Sequence, residues 1–201
     1  MIKIEHLEKR YGGKQIYTDL NIQLEKNHSY ALVGPSGSGK TTLLNAIGRL
    51  EKPTEGKIYF EGKDIWKMKE SKYFGQYLGY VFQNYALMDE ATVYENLKII
   101  DNRLSIIKAL KKVGLDESYL KMKIYELSGG QAQRVAIARV LLKKAQIILA
   151  DEPTGALDEV TGQSIIQLLL ELVSPNTIVI FATHDPRVFE KVDHVIDVSK
   201  L

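Results

Sequence analysis

The chain has no cysteine. Disulfides, thiolate-bound zinc, iron–sulfur clusters and a cysteine nucleophile are therefore excluded, and the composition fits a cytosolic setting. It also lacks any run of 18 apolar residues. The longest apolar stretches, around Ile165–Val173 and Thr177–Ala182, are core-sized and too short to cross a bilayer. Met1–His6 has no signal-peptide apolar region. Any membrane role is expected to be peripheral, from the cytoplasmic face. Charge of one sign is scarce too. Lys and Arg number 27 against 25 Asp and Glu, a formal net charge of +2. That bias is too weak to predict nucleic acid as a partner. There is no internal repeat and no low-complexity segment.

What is present is globular. Hydrophobic residues make up 45 % and charged ones 26 % of 201 residues, which argues against disorder. A chain of this length buries about 70 % of its unfolded surface and needs no covalent staples. One domain with an inserted subdomain is expected.

Residues 2–9 and 16–24 alternate loosely between apolar and polar around Gly12-Gly13, which predicts antiparallel strands. Ser29–Val33 reads as a buried strand, Thr41–Leu50 as a helix and Pro53–Gly56 as a turn. Lys57–Glu61 and Leu78–Phe82 read as strands. Residues 92–123 turn helical in period, with scattered lysines that predict a solvated face. Then strand and helix alternate: a helix at 129–144, a strand at Ile147–Ala150, a helix at 159–173, and strands at Thr177–Ala182 and His194–Val198. Short apolar strands between helices imply an α/β fold. Its parallel sheet would be covered on both faces, with the antiparallel start as a separate β layer.

Gly34-Pro35-Ser36-Gly37-Ser38-Gly39-Lys40-Thr41 fits the pattern G-x-x-x-x-G-K-[ST], between a predicted strand and a predicted helix. Gly37 and Gly39 let backbone N–H groups turn onto phosphate oxygens, and the helix N-terminus adds positive partial charge. Lys40 can reach the β- and γ-phosphates, and the Thr41 hydroxyl can hold Mg²⁺. Random usage would produce the pattern in on the order of 1 % of such chains, so a purely structural turn is a poor explanation. The guanine-reading pattern N-K-x-D is absent, which disfavours GTP.

Leu127-Ser128-Gly129-Gly130-Gln131 precedes another helix. Ser128 and Gln131 have capping-box spacing. A capping box needs no glycines, and each costs roughly 1 kcal/mol inside a helix. Gly129-Gly130 is therefore expected to let the backbone approach an anion. Ile147–Glu152 is an apolar strand ending in two acids. Beside a phosphate loop, Asp151 is placed to bind Mg²⁺ through water. Glu152 is placed to polarise an attacking water, a base contribution of about 10²–10⁴-fold.

These residues resemble the ATP-binding subunit of an ABC transporter. Gly34–Thr41 is similar to its Walker A motif, Leu127–Gln131 to its signature, and Ile147–Glu152 to its Walker B motif with the catalytic glutamate. The resemblance covers the whole chain, with the motifs in family order. It implies that Gly34, Pro35, Ser36, Gly37, Ser38, Gly39, Lys40, Thr41 and Thr42 surround ATP, with Mg²⁺ on Thr41, Gln83 and Asp151. It implies that Tyr11 stacks on adenine, and that Gln83 touches Mg²⁺ and the attacking water. Asp158 would contact the partner subunit, and His184 would hold the γ-phosphate. Two subunits would sandwich two ATP molecules, so Ser128, Gly129, Gly130 and Gln131 would act on the partner's nucleotide.

The resemblance further implies one domain over residues 1–201. Residues 1–83 and 127–201 would form the catalytic core, and 84–126 a helical subdomain. An integral membrane permease would dock near residues 84–96. Tyr85, Leu87, Met88, Val93 and Tyr94 there suit either a docking patch or a subdomain core, with Tyr85 and Met88 favoured for docking. Ala150–Asp158 resembles the branch that serves lipoprotein release, macrolide and peptide export, antimicrobial-peptide resistance and division-associated complexes. Asn84–Met88 and the small size look most like ATPases of bacteriocin-type exporters. Two features depart from the family. Only the 43 residues 84 to 126 separate Gln83 from the signature, so a subdomain loop is missing. The sequence also stops soon after the last predicted strand. The 43 residues hold no long coiled-coil arm, which argues against the DNA-repair and chromosome-structure ATPases. A regulatory ATPase in a cell-division complex uses the same motifs and stays open.

Overall fold

The computed structural model describes residues 1–200. Its strands are Ile2–Tyr11 (β1), Lys14–Leu24 (β2), His28–Val33 (β3), Glu55–Phe60 (β4), Lys63–Asp64 (β5), Leu78–Val81 (β6), Ile147–Asp151 (β7), Ile178–Ala182 (β8) and His194–Asp197 (β9). Its helices are Lys40–Ile47 (α1), Glu70–Lys72 (α2), Val93–Leu97 (α3), Arg103–Lys112 (α4), Gly129–Lys143 (α5), Glu159–Leu170 (α6) and Pro186–Phe189 (α7).

Strands β2-β1-β4-β5 form an antiparallel sheet, and β6-β7-β8-β3-β9 a parallel one. Apart from its exposed edge strand β9, the parallel sheet is buried on both faces, and its alternation divides two cores. Ala31, Val81, Ile148, Ala150, Val179 and Phe181 face α5 and α6. Tyr30, Leu32, Tyr80, Leu149, Ile180 and Ala182 face α1 and the antiparallel sheet. Each large apolar side chain so buried contributes about 1.5–3 kcal/mol. This is the α/β architecture expected of the sequence.

Three details differ from expectation. Helix α1 stops at Ile47, because Arg49 turns left-handed (φ 56°). Helix α6 stops at Leu170, ahead of Pro175, which disfavours helix before it. Residues 63–77 also form β5, a 3₁₀ turn, α2 and a five-residue π turn at Tyr73–Tyr77. This segment clamps Arg49, whose guanidinium lies 5.4–5.9 Å from the rings of Trp66, Tyr73 and Phe74.

The helical excursion begins and ends at one point. Thr92 and Lys123 pair as an antiparallel bridge, and the Val93 N–H donates to the Met122 carbonyl at 2.9 Å. Thr92 and Glu95 form a capping box on α3, and Asn102 caps α4.

Candidate functional site

Strand register sets the site. Ala182 of β8 pairs with Leu32 of β3 on one side and Asp151 of β7 on the other. Gly34, Glu152 and Thr183 therefore leave the sheet at nearly one level, on the carboxyl edge where open α/β sheets bind ligands.

From β3 the chain turns through Gly34–Gly39 into α1. Gly39 is the N-cap at φ 95°, and a Cβ there would lie 2.6 Å from Ile16 Cγ2. Only glycine fits both conditions. No side chain caps α1 and no acid lies in its first turn. Its first N–H groups are thus left for an anion. Among the described residues Ser38 Oγ is buried without a partner. The Lys40 ammonium donates to the Gly34 and Pro35 carbonyls at 2.8 and 3.2 Å. A cavity of about 360 Å³ opens over the loop, lined by Ser36, Gly37, Lys40, Thr41, Thr42 and Glu152 among others. Unused N–H donors, an orphaned hydroxyl and a cation together suit a polyphosphate.

The Thr41 hydroxyl donates to Asp151 Oδ1 at 2.9 Å. Burial pushes the Asp151 carboxyl up; the Thr41 bond and the Lys40 charge oppose this, while Glu152 adds to it. A hydroxyl and a half-buried carboxylate, both hard oxygen donors, suit Mg²⁺ with substrate and water completing its shell. Among the described residues no cluster of three His, Cys, Asp or Glu could hold an ion alone.

Glu152 follows at φ 42°, a conformation that costs a non-glycine residue about 1–3 kcal/mol. Three bonds hold it: its N–H to the Ala182 carbonyl (2.9 Å), the Thr183 hydroxyl to Oε2 (3.0 Å) and His184 Nδ1 to Oε1 (2.8 Å). Glu152 also lines a neighbouring cavity of about 540 Å³ with Thr154, Gly155, His184 and Arg187. It therefore stands between the phosphate loop and His184. Gln83 lies against Gly155, where a Cβ would approach its Nε2 to 3.0 Å. Tyr11 is 45 % exposed. Its hydroxyl bonds Glu51, and Lys9 lies 4.8 Å from the ring centroid and 2.8 Å from Glu51. Burial, then the Glu51 bond, push its hydroxyl up. The ring is propped by Lys9 and Glu51 and stays partly exposed.

The signature segment lies elsewhere. None of Ser128–Gln131 lines the cavity over the phosphate loop. Ser128 and Gln131 form a reciprocal capping box on α5. The expected reason for Gly129-Gly130, approach to an anion, has a competitor here. A Cβ on Gly130 would lie 2.4 Å from Thr161 Cγ2, and one on Gly129 2.7 Å from Tyr85 Oη. Close packing therefore gives both glycines a second reason, stronger at Gly130 than at Gly129, where only the end of the Tyr85 side chain would have to move. Asp158 caps α6 through the Thr161 N–H at 3.0 Å, and its bonds to Thr161 hold its carboxyl below the usual range.

The apolar residues of the expected docking segment divide between core and surface. Val93 is fully buried, and Tyr85, Leu87 and Tyr94 pack on the helical core. The Arg139 guanidinium holds the Tyr85 and Ala86 carbonyls from behind. Met88 is exposed. The apolar opening sits alongside, a groove of about 390 Å³ lined by Leu50, Phe74, Phe82, Ala86, Ile99 and Ile100 among others. Phe74 and Ile99 went unmarked in the sequence because they share no local pattern. Thr183 and Glu51, which support Glu152 and Tyr11, were missed for the same reason.

The fold and this site define a P-loop nucleoside-triphosphate-binding domain. The family model described as ABC transporter matches residues 17–155. The chain is 36 % identical to the macrolide export ATP-binding/permease protein MacB of Vibrio parahaemolyticus, over 99 % of this chain and 33 % of that protein. It thus spans about a third of that relative's length. It is 39 % identical to the cell division ATP-binding protein FtsE of Escherichia coli, over 92 % of this chain and 88 % of FtsE. The dimeric cassette MJ0796 of Methanocaldococcus jannaschii, solved in a post-hydrolysis state bound to ADP and Pi, superposes with a TM-score of 0.85 at 33 % identity, covering 99 % and 95 % of the two chains. The chain belongs to the ABC transporter family and is one of its ATPase cassettes.

Proposed function

We propose that this cassette powers a membrane exporter whose cargo is a peptide, a lipoprotein or an antimicrobial compound. The observation that carries the reading is Glu152, held between the phosphate-loop cavity and His184 at the carboxyl edge of the sheet. Lys40 and the loop N–H groups hold the phosphates, Tyr11 carries the adenine, and Glu152 orients an attacking water and accepts its proton. Thr41, Asp151 and Gln83 would hold Mg²⁺, which when bound neutralises charge on the β- and γ-phosphates. His184 contacts the γ-phosphate.

Ser128, Gly129, Gly130 and Gln131 serve the partner's nucleotide in a homodimer that sandwiches ATP, with Asp158 at the contact. Their separation from the chain's own phosphate loop supports this, as does the dimeric state of MJ0796. Residues 1–83 and 127–201 act as catalytic core and 84–126 as helical subdomain. A permease docks near residues 84–96, where Met88 is exposed and the apolar groove lined by Ala86, Phe74 and Ile99 opens alongside. No helix of the described residues is long and apolar enough to cross a membrane, which suits a peripheral cassette at the cytoplasmic face.

A second reading is a division-associated membrane complex in which ATP binding regulates a partner. The similarity to FtsE over 88 % of its length favours it. A tagged pull-down from native membranes, using Glu152→Gln with ATP, separates the two. Recovery of a permease with a large extracytoplasmic domain supports export. Recovery of division proteins supports the second reading. Recovery of no membrane protein removes both and leaves the ATPase.

A further inference from the structure

We propose that Thr183 is a positioning residue that selects which oxygen of Glu152 acts as the base. The inference rests on the reading of Glu152 as the group that activates water. Thr183 is completely buried. Its hydroxyl accepts the Asp185 N–H at 3.1 Å and donates to Glu152 Oε2 at 3.0 Å. A hydroxyl has one hydrogen. Since the Asp185 N–H is already a donor, the Thr183 proton is committed to Oε2. Both oxygens carry a bond, but of different kinds: Oε2 is fixed from the protein interior by a buried hydroxyl, whereas Oε1 meets only the exposed, movable His184 ring at 2.8 Å.

The backbone gives Thr183 its authority over this geometry. Its N–H donates to the Leu32 carbonyl at 3.2 Å, two residues before the phosphate loop opens at Gly34. Glu152 itself sits at φ 42° and bonds the carbonyl of Ala182, the residue before Thr183. The base is thus referenced through Thr183 to the strand that carries the phosphate loop. Without this bond the carboxylate is held only by the exposed His184 ring and can turn with it. Misplacing a reacting group by about 1 Å can cost roughly 10²-fold in rate. Hydroxyl and methyl on one buried Cβ also explain threonine here: the hydroxyl makes both bonds and the methyl fills the core.

The test is steady-state ATP turnover of the full chain with Thr183→Val, which keeps the shape and removes the hydroxyl, and Thr183→Ser, which keeps the hydroxyl. Thr183→Val is expected to lower kcat by about 10-fold or more while KM for ATP stays within about 2-fold. Thr183→Ser is expected to recover most of kcat. In a Glu152→Gln background the further Thr183→Val change is expected to add less than about 2-fold, because both act on one group. Full kcat in Thr183→Val overturns the proposal, as does an undiminished loss in the Glu152→Gln background. If Thr183→Val does not fold, Thr183→Ser and Thr183→Ala decide: equal kcat in both overturns it. Glu152→Gln alone separates the two levels. Normal turnover there removes the base reading and the proposal together; lost turnover with a neutral Thr183→Val removes the proposal only.

Discussion

Two glycine-rich loops in this chain each open onto a helix, and they are built on opposite principles. The loop before α1 is incomplete by itself. Its N-cap is a left-handed glycine, no side chain answers the first N–H groups, and Ser38 Oγ has no partner among the described residues. The loop before α5 is finished internally. Ser128 and Gln131 cap each other, and Gly130 is filled against by Thr161. The first loop leaves donors unspent, as a ligand site requires. The second is a preformed surface whose glycines already have a packing role. A pair of glycines before a helix therefore does not by itself mark the chain's own anion site; the state of the cap separates a loop that awaits a ligand from one already folded before a partner arrives.

The comparison would be broken most severely at Glu152, which belongs to the first loop's cavity. Glu152→Gln is expected to lower ATP turnover by about 10²–10⁴-fold while ATP binding survives. Single-turnover hydrolysis beside a binding titration checks both halves. Unchanged turnover would remove Glu152 from its role. Lys40→Ala comes next. Each hydrogen bond to a charged group is worth about 1.5–3 kcal/mol, so ATP affinity should fall by roughly 10–100-fold. Calorimetric titration reads this directly, and unchanged affinity would contradict the incompleteness of the first loop. The expected effect is on binding, not on folding.

How much of this was legible in the sequence follows from how local each feature is. The Gly34–Thr41 loop and the strand ending at Asp151 and Glu152 are contiguous, so their chemistry is readable in order. The insertion of β3 between β8 and β9 is not. It depends on pairings between segments about 150 residues apart, as at Tyr30 with Ile180. The Tyr73–Tyr77 turn has no periodic signature, because Arg49, from α1's far end, organises the aromatics. Tyr85 looked like a docking residue by composition. It is half-buried: its ring packs on the helical core, its hydroxyl lies beside Gly129 and its carbonyl is held by Arg139. Signals spread over distant segments were silent, and those within ten residues were clear.

Between the two loops lies a charge network that belongs to neither cap. Asp185 is buried, takes three bonds from the Arg187 guanidinium, one from the Arg187 backbone N–H and one from the Thr154 hydroxyl, and the Arg187 bonds hold its carboxyl below the usual range against burial. Its folded value is depressed, so its stabilisation is present above the unfolded value of about 4 and fades as pH falls through the folded one. Asp185→Asn is expected to cost roughly 1–2 kcal/mol at pH 7, allowing for the partly exposed Arg187. The gap from the parent should close in acid. Urea midpoints from pH 7 to pH 3 measure it, and a constant gap would mean that shape, not charge, holds the site.

The smallest effect sharpens the comparison most. If the α5 glycines serve packing, Gly130→Ala should destabilise the chain, although alanine is the better helix former by about 1 kcal/mol. The added Cβ would meet Thr161 Cγ2 at 2.4 Å, and overpacking of this kind costs about 1–3 kcal/mol. The net expectation is a loss of about 1 kcal/mol, read by thermal or urea unfolding. Thr161→Ser removes the opposing methyl while keeping the N–H that Asp158 caps. In the Gly130→Ala background it should therefore restore stability to the parent value or above it. Rescue of stability would place the close contact with Thr161 as the reason for glycine. Gly130→Ala that stabilises the chain outright would return Gly130 to the role first expected of it, a gap kept open for a partner's phosphate.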